Sequence, residues 1–196
     1  MEIEKPSFEF RKEKIKYQGE IIEVVQETFF SNDKEINLEK GRRSPGVRLI
    51  IEAPDGKFLI SKEERPRFGL DYRLPGGKVF NSLSEFNEFL KSKKDLKEIL
   101  EKAKEAAINE AKEEVGINPT EMEEFYISHC GGSFEWDLHY FIVKKYEEVG
   151  QSLEEHEKIE PTVLSKEELL EIIFSGQMKE DRSVAVLLKY LHSKEK

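Results

Sequence analysis

Residues 106–117, AAINEAKEEVGI, constrain the fold more than any other stretch of this chain. If each residue advances about 100° around a helix, Glu110, Glu113 and Glu114 fall within an arc of about 100°. The apolar residues on the flank beyond these carboxylates form a stripe suited to packing on a sheet: Leu100, Ala107, Ile108, Ala111 and Val115. Gly116 follows at once and is typical of the residue that ends a helix. The three carboxylates therefore lie at the border of a buried face.

Carboxylates at such a border repel one another unless a cation joins them. Mg²⁺ takes oxygen ligands, and proteins commonly hold it with one or two carboxylates together with substrate phosphates. LPGGKV at 74–79 favours such a site, because Gly76 and Gly77 permit a tight loop whose backbone carbonyl can approach a cation. Each pattern also has an ordinary interpretation, a solvated run of charge for the helix and a Pro-Gly turn for the loop.

Short strand-like runs dominate the first third of the chain and indicate a sizeable sheet. They cover residues 20–29, 34–40, 47–53 and 57–63. Asp55-Gly56 separates the last two runs and predicts a hairpin turn. A second pair of strands is expected at EFYISH and LHYFIVKKY, and a further strand at PTVL.

Helical patterns dominate the middle and the end of the chain. Ser82 with Glu85, and Ser92 with Asp95, resemble the capping box that begins a helix. They predict two helices, near 83–91 and 93–115. SKEELLEIIF and DRSVAVLLKYLHSK predict two more. Together the patterns indicate an α+β fold, with a mostly antiparallel or mixed sheet and helices packed against it.

The composition argues against several classes of partner. Charged residues make up 37% of the chain and the net charge is −9, whereas binding to DNA or RNA requires a basic surface. No apolar run is long enough for a secretion signal or a membrane span. The single cysteine, Cys130, cannot form an internal disulfide, which fits a reducing compartment. We therefore expect a cytoplasmic protein with no nucleic-acid or membrane partner.

The Gly-Gly loop and the carboxylate helix together resemble the signature of the Nudix hydrolase family. That signature is Gly, five residues, Glu, seven residues, Arg-Glu, an apolar residue, any residue, Glu-Glu, any residue, Gly and an apolar residue. Here Glu101 is followed by seven residues and then by NEAKEEVGI at 109–117. Asn109 stands where the family has Arg, so an ion pair that usually orients the acidic cluster is missing or supplied from elsewhere.

The spacing of the signature also departs from the family pattern. Residues 78–100, 23 in number, separate Gly77 from Glu101 where the family has five, so 23 − 5 = 18 residues are inserted. The helix-start signals place this insertion at about 80–97, as an extra helix and an N-terminal extension of the carboxylate helix. Such an insertion leaves the metal-binding half of the signature complete, but it can cover or narrow a substrate pocket.

Most of the chain, from about Gly19 to Leu191, resembles the ADP-ribose pyrophosphatase branch of this family. GEIIEVVQETF, RRSPGVRLIIEAPDGKFLISKEERP and LPGGKV carry the similarity. The resemblance implies an α/β/α Nudix sandwich with a mixed sheet, formed by residues 45–196. It also implies an N-terminal antiparallel β extension, residues 1–44, through which two copies form a homodimer.

The same resemblance implies a metal site and a general base. Mg²⁺, with Mn²⁺ as an alternative, would be held by the Gly76 carbonyl and by the carboxylates Glu110, Glu113 and Glu114. EHEKI at 155–159 resembles the loop that supplies the base, so either Glu155 or Glu157 would take that role. A solvated acidic loop is the ordinary interpretation of this stretch.

Substrate-binding residues are implied at four positions. Arg65 matches an arginine that contacts the substrate's phosphates, with Arg67 as a nearby competitor and Arg43 as a further candidate. An arginine fork suits a diphosphate, although a surface arginine is the commoner case. GGSFE at 131–135 resembles an element that places Glu135 near the substrate. Arg73 precedes Leu-Pro where relatives often have Glu, which changes the expected contacts to the nucleotide base of the substrate.

The implied reaction is hydrolysis of a nucleoside diphosphate linked to another group, with ADP-ribose cleaved to AMP and ribose 5-phosphate as the leading case. Glu110 and Glu114 would be catalytic together with the loop glutamate. The alternatives are hydrolysis of another nucleotide sugar or dinucleotide, and a non-catalytic Nudix-fold sensor that binds a similar ligand. Three intact glutamates count against the sensor, and Asn109 is its only support.

Overall fold

The computed structural model describes residues 8–32, 34–92, 95–153 and 157–195. These residues form ten strands and four helices. In chain order they are β1 (Glu9–Gln18), β2 (Glu23–Ser31), β3 (Lys34–Arg42), β4 (Gly46–Glu52), β5 (Phe58–Arg65), β6 (Gly69–Arg73), α1 (Leu83–Lys91), α2 (Leu96–Val115), β7 (Ile117–Ser128), β8 (Phe134–Glu135), β9 (Leu138–Glu148), β10 (Ile159–Leu164), α3 (Lys166–Phe174) and α4 (Asp181–Ser193).

The chain divides into two compact units. The first unit comprises Met1–Ser44, Phe80–Lys93 and His129–Asp137. The second unit comprises Pro45–Val79, Lys94–Ser128 and Leu138–Lys196. Both α2 and the Gly-Gly loop belong to the second unit, so its sheet positions the predicted metal site.

A six-stranded mixed sheet forms the centre of the second unit. Its strands lie in the order β10-β5-β4-β9-β7, and β6 pairs with β5. β4 and β9 are parallel, whereas β5 pairs antiparallel with β4, β6 and β10. The pairing of β4 with β5 covers two residue pairs, and the start of β4 instead bonds to the Gly-Gly loop, with Val47 N donating to Gly77 O at 3.0 Å. The loop is therefore held directly by the central sheet.

Helices cover both faces of this sheet. On one face, alternate residues of β4 join alanines of α2 in a buried cluster: Val47, Leu49, Ile51, Ala103, Ala107 and Ala111. Because successive side chains of a strand point to opposite faces, Arg48 points to the other face, where it binds Glu180 at the start of α4. Tyr190 of α4 donates a hydrogen bond to Glu52 on that same face. The predicted α/β/α sandwich is confirmed.

The ends of the helices follow their caps, with one correction. Ser82 accepts a hydrogen bond from Glu85 N at 3.1 Å and begins α1, as predicted. Ser92 ends α1 instead of beginning the next helix, and Asp95 caps α2 by accepting from Lys97 N, so the prediction that α2 begins near 93 was wrong. Gly116 ends α2 with φ of 68°, a left-handed conformation that glycine adopts without strain.

The first unit combines an antiparallel sheet with the inserted helix. Its strands lie in the order β1-β2-β3-β8, and the short β8 pairs in parallel with β3. In α1, Asn87 donates a hydrogen bond of 2.8 Å to Glu23 of β2. The ring of Phe80 lies 5.2 Å from that of Phe86 and 5.1 Å from that of Phe89. The helical part of the insertion thus packs with the N-terminal sheet.

The sequence patterns did not predict three strands: β1, β6 and the two-residue β8. β1, EFRKEKIKYQ, is exposed at every position, and β6 is only five residues long. β1 forms by pairing with β2, and β6 forms by pairing with β5.

Among the described residues, none of the helices has both the length and the apolar character needed to cross a bilayer.

Candidate active site

The carboxylates of α2 lie at the edge of its buried stripe. Ala103, Ala107 and Ala111 are fully buried against the sheet, and their small side chains let the helix approach β4 closely. Glu110 and Glu114 are partly buried on the adjoining flank, whereas Glu113 is exposed. The periodicity predicted the border position of Glu110 and Glu114, but it also placed Glu113 at the border, whereas that side chain is exposed.

The Gly-Gly loop packs directly on two of these carboxylates. Gly76 N donates a hydrogen bond to Glu114 Oε2 at 2.8 Å. A Cβ on Gly77 would lie 1.8 Å from Glu110 Oε1, so any side chain there would displace that carboxylate. Gly76 has φ of 144°, and a Cβ on it would lie 2.2 Å from Val47 O. Both glycines are therefore required by close approach to Val47 and Glu110, whereas the predicted approach of the Gly76 carbonyl to a cation stays a prediction.

Burial makes both carboxylates resist ionisation. Burial, followed by the negative charges of Glu113 and Glu157, raises the pKa of Glu110 to about 7. Burial also raises the pKa of Glu114 to about 8, although the hydrogen bond from Gly76 opposes that rise. Two adjacent carboxyls with raised pKa values have too little positive charge around them, so the donor chemistry fits a hard divalent cation.

The described residues contain no group of three or more histidine, cysteine, aspartate or glutamate side chains placed so that they could hold a metal ion. Glu110 and Glu114 share the Gly-Gly loop, and the exposed Glu113 acts on Glu110 through its charge. Metal binding by Gly76, Glu110, Glu113 and Glu114 therefore stays a prediction.

One face of β5 points towards the carboxylate helix. Ser61 Oγ lies 3.5 Å from Glu114 Oε2, and the negative charge of Glu63 contributes to the raised pKa of Glu114. Because side chains alternate along a strand, Arg65 shares this face, and its Nη1 donates to both oxygens of Glu63 at 2.9 and 3.0 Å. Arg67 lies beyond the end of β5 and is exposed. Of the two predicted phosphate contacts, Arg65 is the one fixed on the carboxylate side of the sheet.

Arg73 lies on the same face, because it is the cross-strand partner of Ser61. Its guanidinium lies 3.5 Å from Asp71, 3.6 Å from Glu180 and 3.8 Å from Glu63. Burial, and then the charge of Arg48, lower the pKa of Arg73. The residue that departs from the family pattern is thus surrounded by carboxylates of its own unit.

Arg48 is a site residue that sequence reasoning missed. Its side chain is only 5% exposed, and its positive charge lowers the pKa values of both Glu110 and Glu114. A signal existed in the sequence, since a single charge interrupts the apolar run VRLII at 47–51. A charged residue in a strand buried on both faces requires a buried partner, which here is Glu180.

The acidic loop after β9 is attached to the end of α2. Gln151 Nε2 donates to Glu114 O at 2.7 Å and to Ile159 O at 2.9 Å, and the sequence patterns did not single this residue out. Glu157 lies near enough to Glu110 for its charge to raise the pKa of that carboxyl. Glu155 lies outside the described residues. Which of the two glutamates supplies the base therefore stays a prediction.

Two predicted substrate-binding residues belong to the first unit. Glu135 binds Lys40 at 2.5 Å and Arg42 at 3.1 Å, and these partners, which outweigh its burial, lower its pKa. The guanidinium of Arg43 lies 4.3 Å from the centre of the Trp136 ring. Contact of Arg43 and Glu135 with a substrate stays a prediction.

Comparison with known proteins identifies the fold but not the family. No protein-family model and no curated protein match this sequence. A crystal structure described as an ADP compounds hydrolase matches it with a TM-score of 0.69 at 14% sequence identity, over 96% of each chain. The chain has the fold of a Nudix hydrolase. At this identity the match establishes the arrangement of sheets and helices alone.

Proposed function

We propose that this protein is a metal-dependent Nudix hydrolase that cleaves a nucleoside diphosphate linked to another group. The observation that carries the proposal is the packing of Glu110 and Glu114 on the Gly76–Gly77 loop. Both carboxyls have raised pKa values, as expected for groups whose cationic partner is a ligand rather than a side chain. The Nudix-like order of the motif residues and the fold support the same conclusion.

Mg²⁺, or Mn²⁺ in its place, would be held by the Gly76 carbonyl with Glu110, Glu113 and Glu114. When bound, such an ion supplies charge neutralisation of the diphosphate and lowers the pKa of water. The protein contributes a fixed position for the carboxylates, because Gly76 N and the buried stripe of α2 hold them in place.

Arg65 and Glu157 would act on the substrate itself. The guanidinium of Arg65 would orient the phosphates, since a planar fork binds two phosphate oxygens at once. Glu157, or Glu155, would accept a proton from the water whose oxygen attacks phosphorus. The phosphoanhydride P–O bond breaks as the new P–O bond forms, and the leaving phosphate departs as part of a monophosphate product.

ADP-ribose is the substrate we propose, with AMP and ribose 5-phosphate as products. Two observations support it: the similarity of GGSFE, EHEKI and the first third of the chain to the ADP-ribose pyrophosphatase branch, and a structural neighbour described as acting on ADP compounds. The inserted residues at 80–97 favour keeping another nucleotide sugar or a dinucleotide as the second candidate. Arg67, Arg43 and Glu135 would contribute further substrate contacts.

We also propose a homodimer formed through residues 1–44 and a cytoplasmic location. β1 is exposed along its whole length and carries large apolar side chains, with Phe10 53% and Tyr17 63% exposed. Exposed apolar patches on a protein surface commonly mark sites of protein–protein interaction. Light scattering should report twice the chain mass, and a monomeric mass at micromolar concentration would rule the dimer out.

The proposed function is tested by a hydrolysis screen with Mg²⁺ over ADP-ribose, nucleotide sugars, dinucleoside polyphosphates and nucleoside triphosphates. We expect metal-dependent release of AMP from ADP-ribose, and a turnover at least about a hundredfold lower in Glu114→Gln, which removes charge at the metal. Turnover of none of these substrates would favour the sensor. Activity near the parent value in Glu114→Gln would rule out the metal assignment.

A further inference from the structure

The carboxylates of the candidate site receive no positive neighbour from their own helix. Side chains three or four residues apart on a helix lie next to each other. At those distances from Glu110 and Glu114 the helix carries only alanines and glutamates: Ala106, Ala107, Ala111 and Glu113. A cation that acts on these carboxylates must therefore come from another element.

Arg48 of β4 supplies such a charge, and it is held rigidly. Its Nε and Nη2 atoms donate to the two oxygens of Glu180 at 2.7 and 2.9 Å, a fork geometry that fixes both distance and orientation. Glu180 also accepts a hydrogen bond from Ser183 Oγ, and its Oε1 lies 3.6 Å from Arg73 Nη2. The third guanidinium nitrogen of Arg48, Nη1, donates to Val47 O at 2.8 Å.

The backbone that Arg48 fixes is the backbone that the Gly-Gly loop touches. A Cβ on Gly76 would lie 2.2 Å from Val47 O and 3.0 Å from Arg48 Cα. On its other side Gly76 N donates to Glu114. A shift of the start of β4 would therefore move the Gly76 amide and, with it, the hydrogen-bond donor of Glu114.

We propose that Arg48, clamped by Glu180, is a positioning residue that fixes the start of β4 against the Gly76 loop and thereby sets the position of Glu114. The expected loss of catalysis rests on the proposed function, whereas the expected effect on the loop does not. Arg48 touches neither the substrate nor the reacting atoms in this role.

The test removes both members of the ion pair together, in the double variant Arg48→Met with Glu180→Leu. Removal of one partner would leave the other buried and unpaired, whereas replacement of a whole buried pair by apolar residues is often neutral for stability. Glu52→Gln is the matched control. Glu52 also joins β4 to α4, through Tyr190 and Lys194, but it lies at the other end of β4.

Hydrogen exchange of the Gly76 amide, followed by NMR in the metal-free protein, is the first measurement. We expect it to be at least tenfold faster in the double variant and within twofold of the parent in Glu52→Gln. Amides of β7 report global stability, and their exchange should be unchanged. Unchanged exchange at Gly76, or equal acceleration at Gly76 and throughout β7, would overturn the proposal.

Steady-state kinetics with ADP-ribose is the second measurement. The double variant should have a kcat at least tenfold lower than the parent with KM within about threefold, because Arg65 still binds the phosphates. The control variant Glu52→Gln should keep the parent kcat. A double variant with the parent kcat would refute the positioning role. If the parent turns over no diphosphate, the proposed function fails, and the Gly76 exchange still decides the role of Arg48.

Discussion

The free energy of unfolding of the metal-free protein should fall as the pH rises from 5.5 to 8. Part of this fall comes from ionisation of Glu114, and Glu114→Gln should remove most of that part. Glutamine keeps the size of the side chain and an oxygen that accepts the hydrogen bond from Gly76 N, but it cannot ionise. The pKa of Glu114 is raised to about 8 from the ordinary 4.5, so the protonated form favours the folded state. This stabilisation is complete below pH 4.5 and is lost as the pH rises through 8.

The size of the effect follows from that pKa. At pH 8 an unfolded glutamate is fully ionised and Glu114 is half protonated, so folding bears a cost of roughly 4 kcal/mol relative to acidic solution. Glu114 is partly rather than fully buried, and solvent screening reduces the expected cost to about 2 kcal/mol. The variant should therefore be about 2 kcal/mol more stable than the parent at pH 8, and less than about 1 kcal/mol more stable at pH 5.5.

Urea unfolding followed by circular dichroism, in EDTA at both pH values, measures this difference. In thermal unfolding the gain at pH 8 corresponds to roughly 4–8 °C for a chain of this length. Glu105→Gln, an exposed position of the same helix, is the control and should show no pH-dependent gain. Mg²⁺ added at pH 8 should stabilise the parent but not Glu114→Gln. A gain for Glu114→Gln that is equal at the two pH values would refute the reasoning.

Two further substitutions test close contacts in each unit. Gly77→Ala should lower kcat at least tenfold with little change in the unfolding temperature. The reason is that the alanine Cβ would lie 1.8 Å from Glu110 Oε1 and displace that carboxylate. An unchanged kcat would contradict this packing. Arg42→Met should lower the free energy of unfolding in urea by about 3–5 kcal/mol, because it leaves the fully buried Glu23 without its cation. The exposed Arg11→Met should cost less than about 1 kcal/mol, and an equal loss in both variants would contradict the role of burial.

Local sequence patterns predicted those parts of the site that depend on a single segment of the chain. The period of α2 placed Ala107 and Ala111 on the sheet and Glu110 and Glu114 at the border, because a helix repeats its faces every three to four residues whatever surrounds it. The two glycines of the loop signalled a close approach, since only glycine leaves room for it. The capping residues predicted where α1 begins, but they misplaced the start of α2, because a serine can equally end a helix.

The partners of the charged side chains were decided by tertiary structure. Arg48 and Glu180 are 132 residues apart in the chain, and Arg42 and Glu135 are 93 apart. No periodicity relates residues at such separations, because their contact depends on the order of strands in a sheet and on which face each strand turns to a helix. The sequence by itself therefore determined the carboxylate helix and its glycine loop. Only the folded chain determined that Arg48 of β4 pairs with Glu180 and that its charge acts on Glu110 and Glu114.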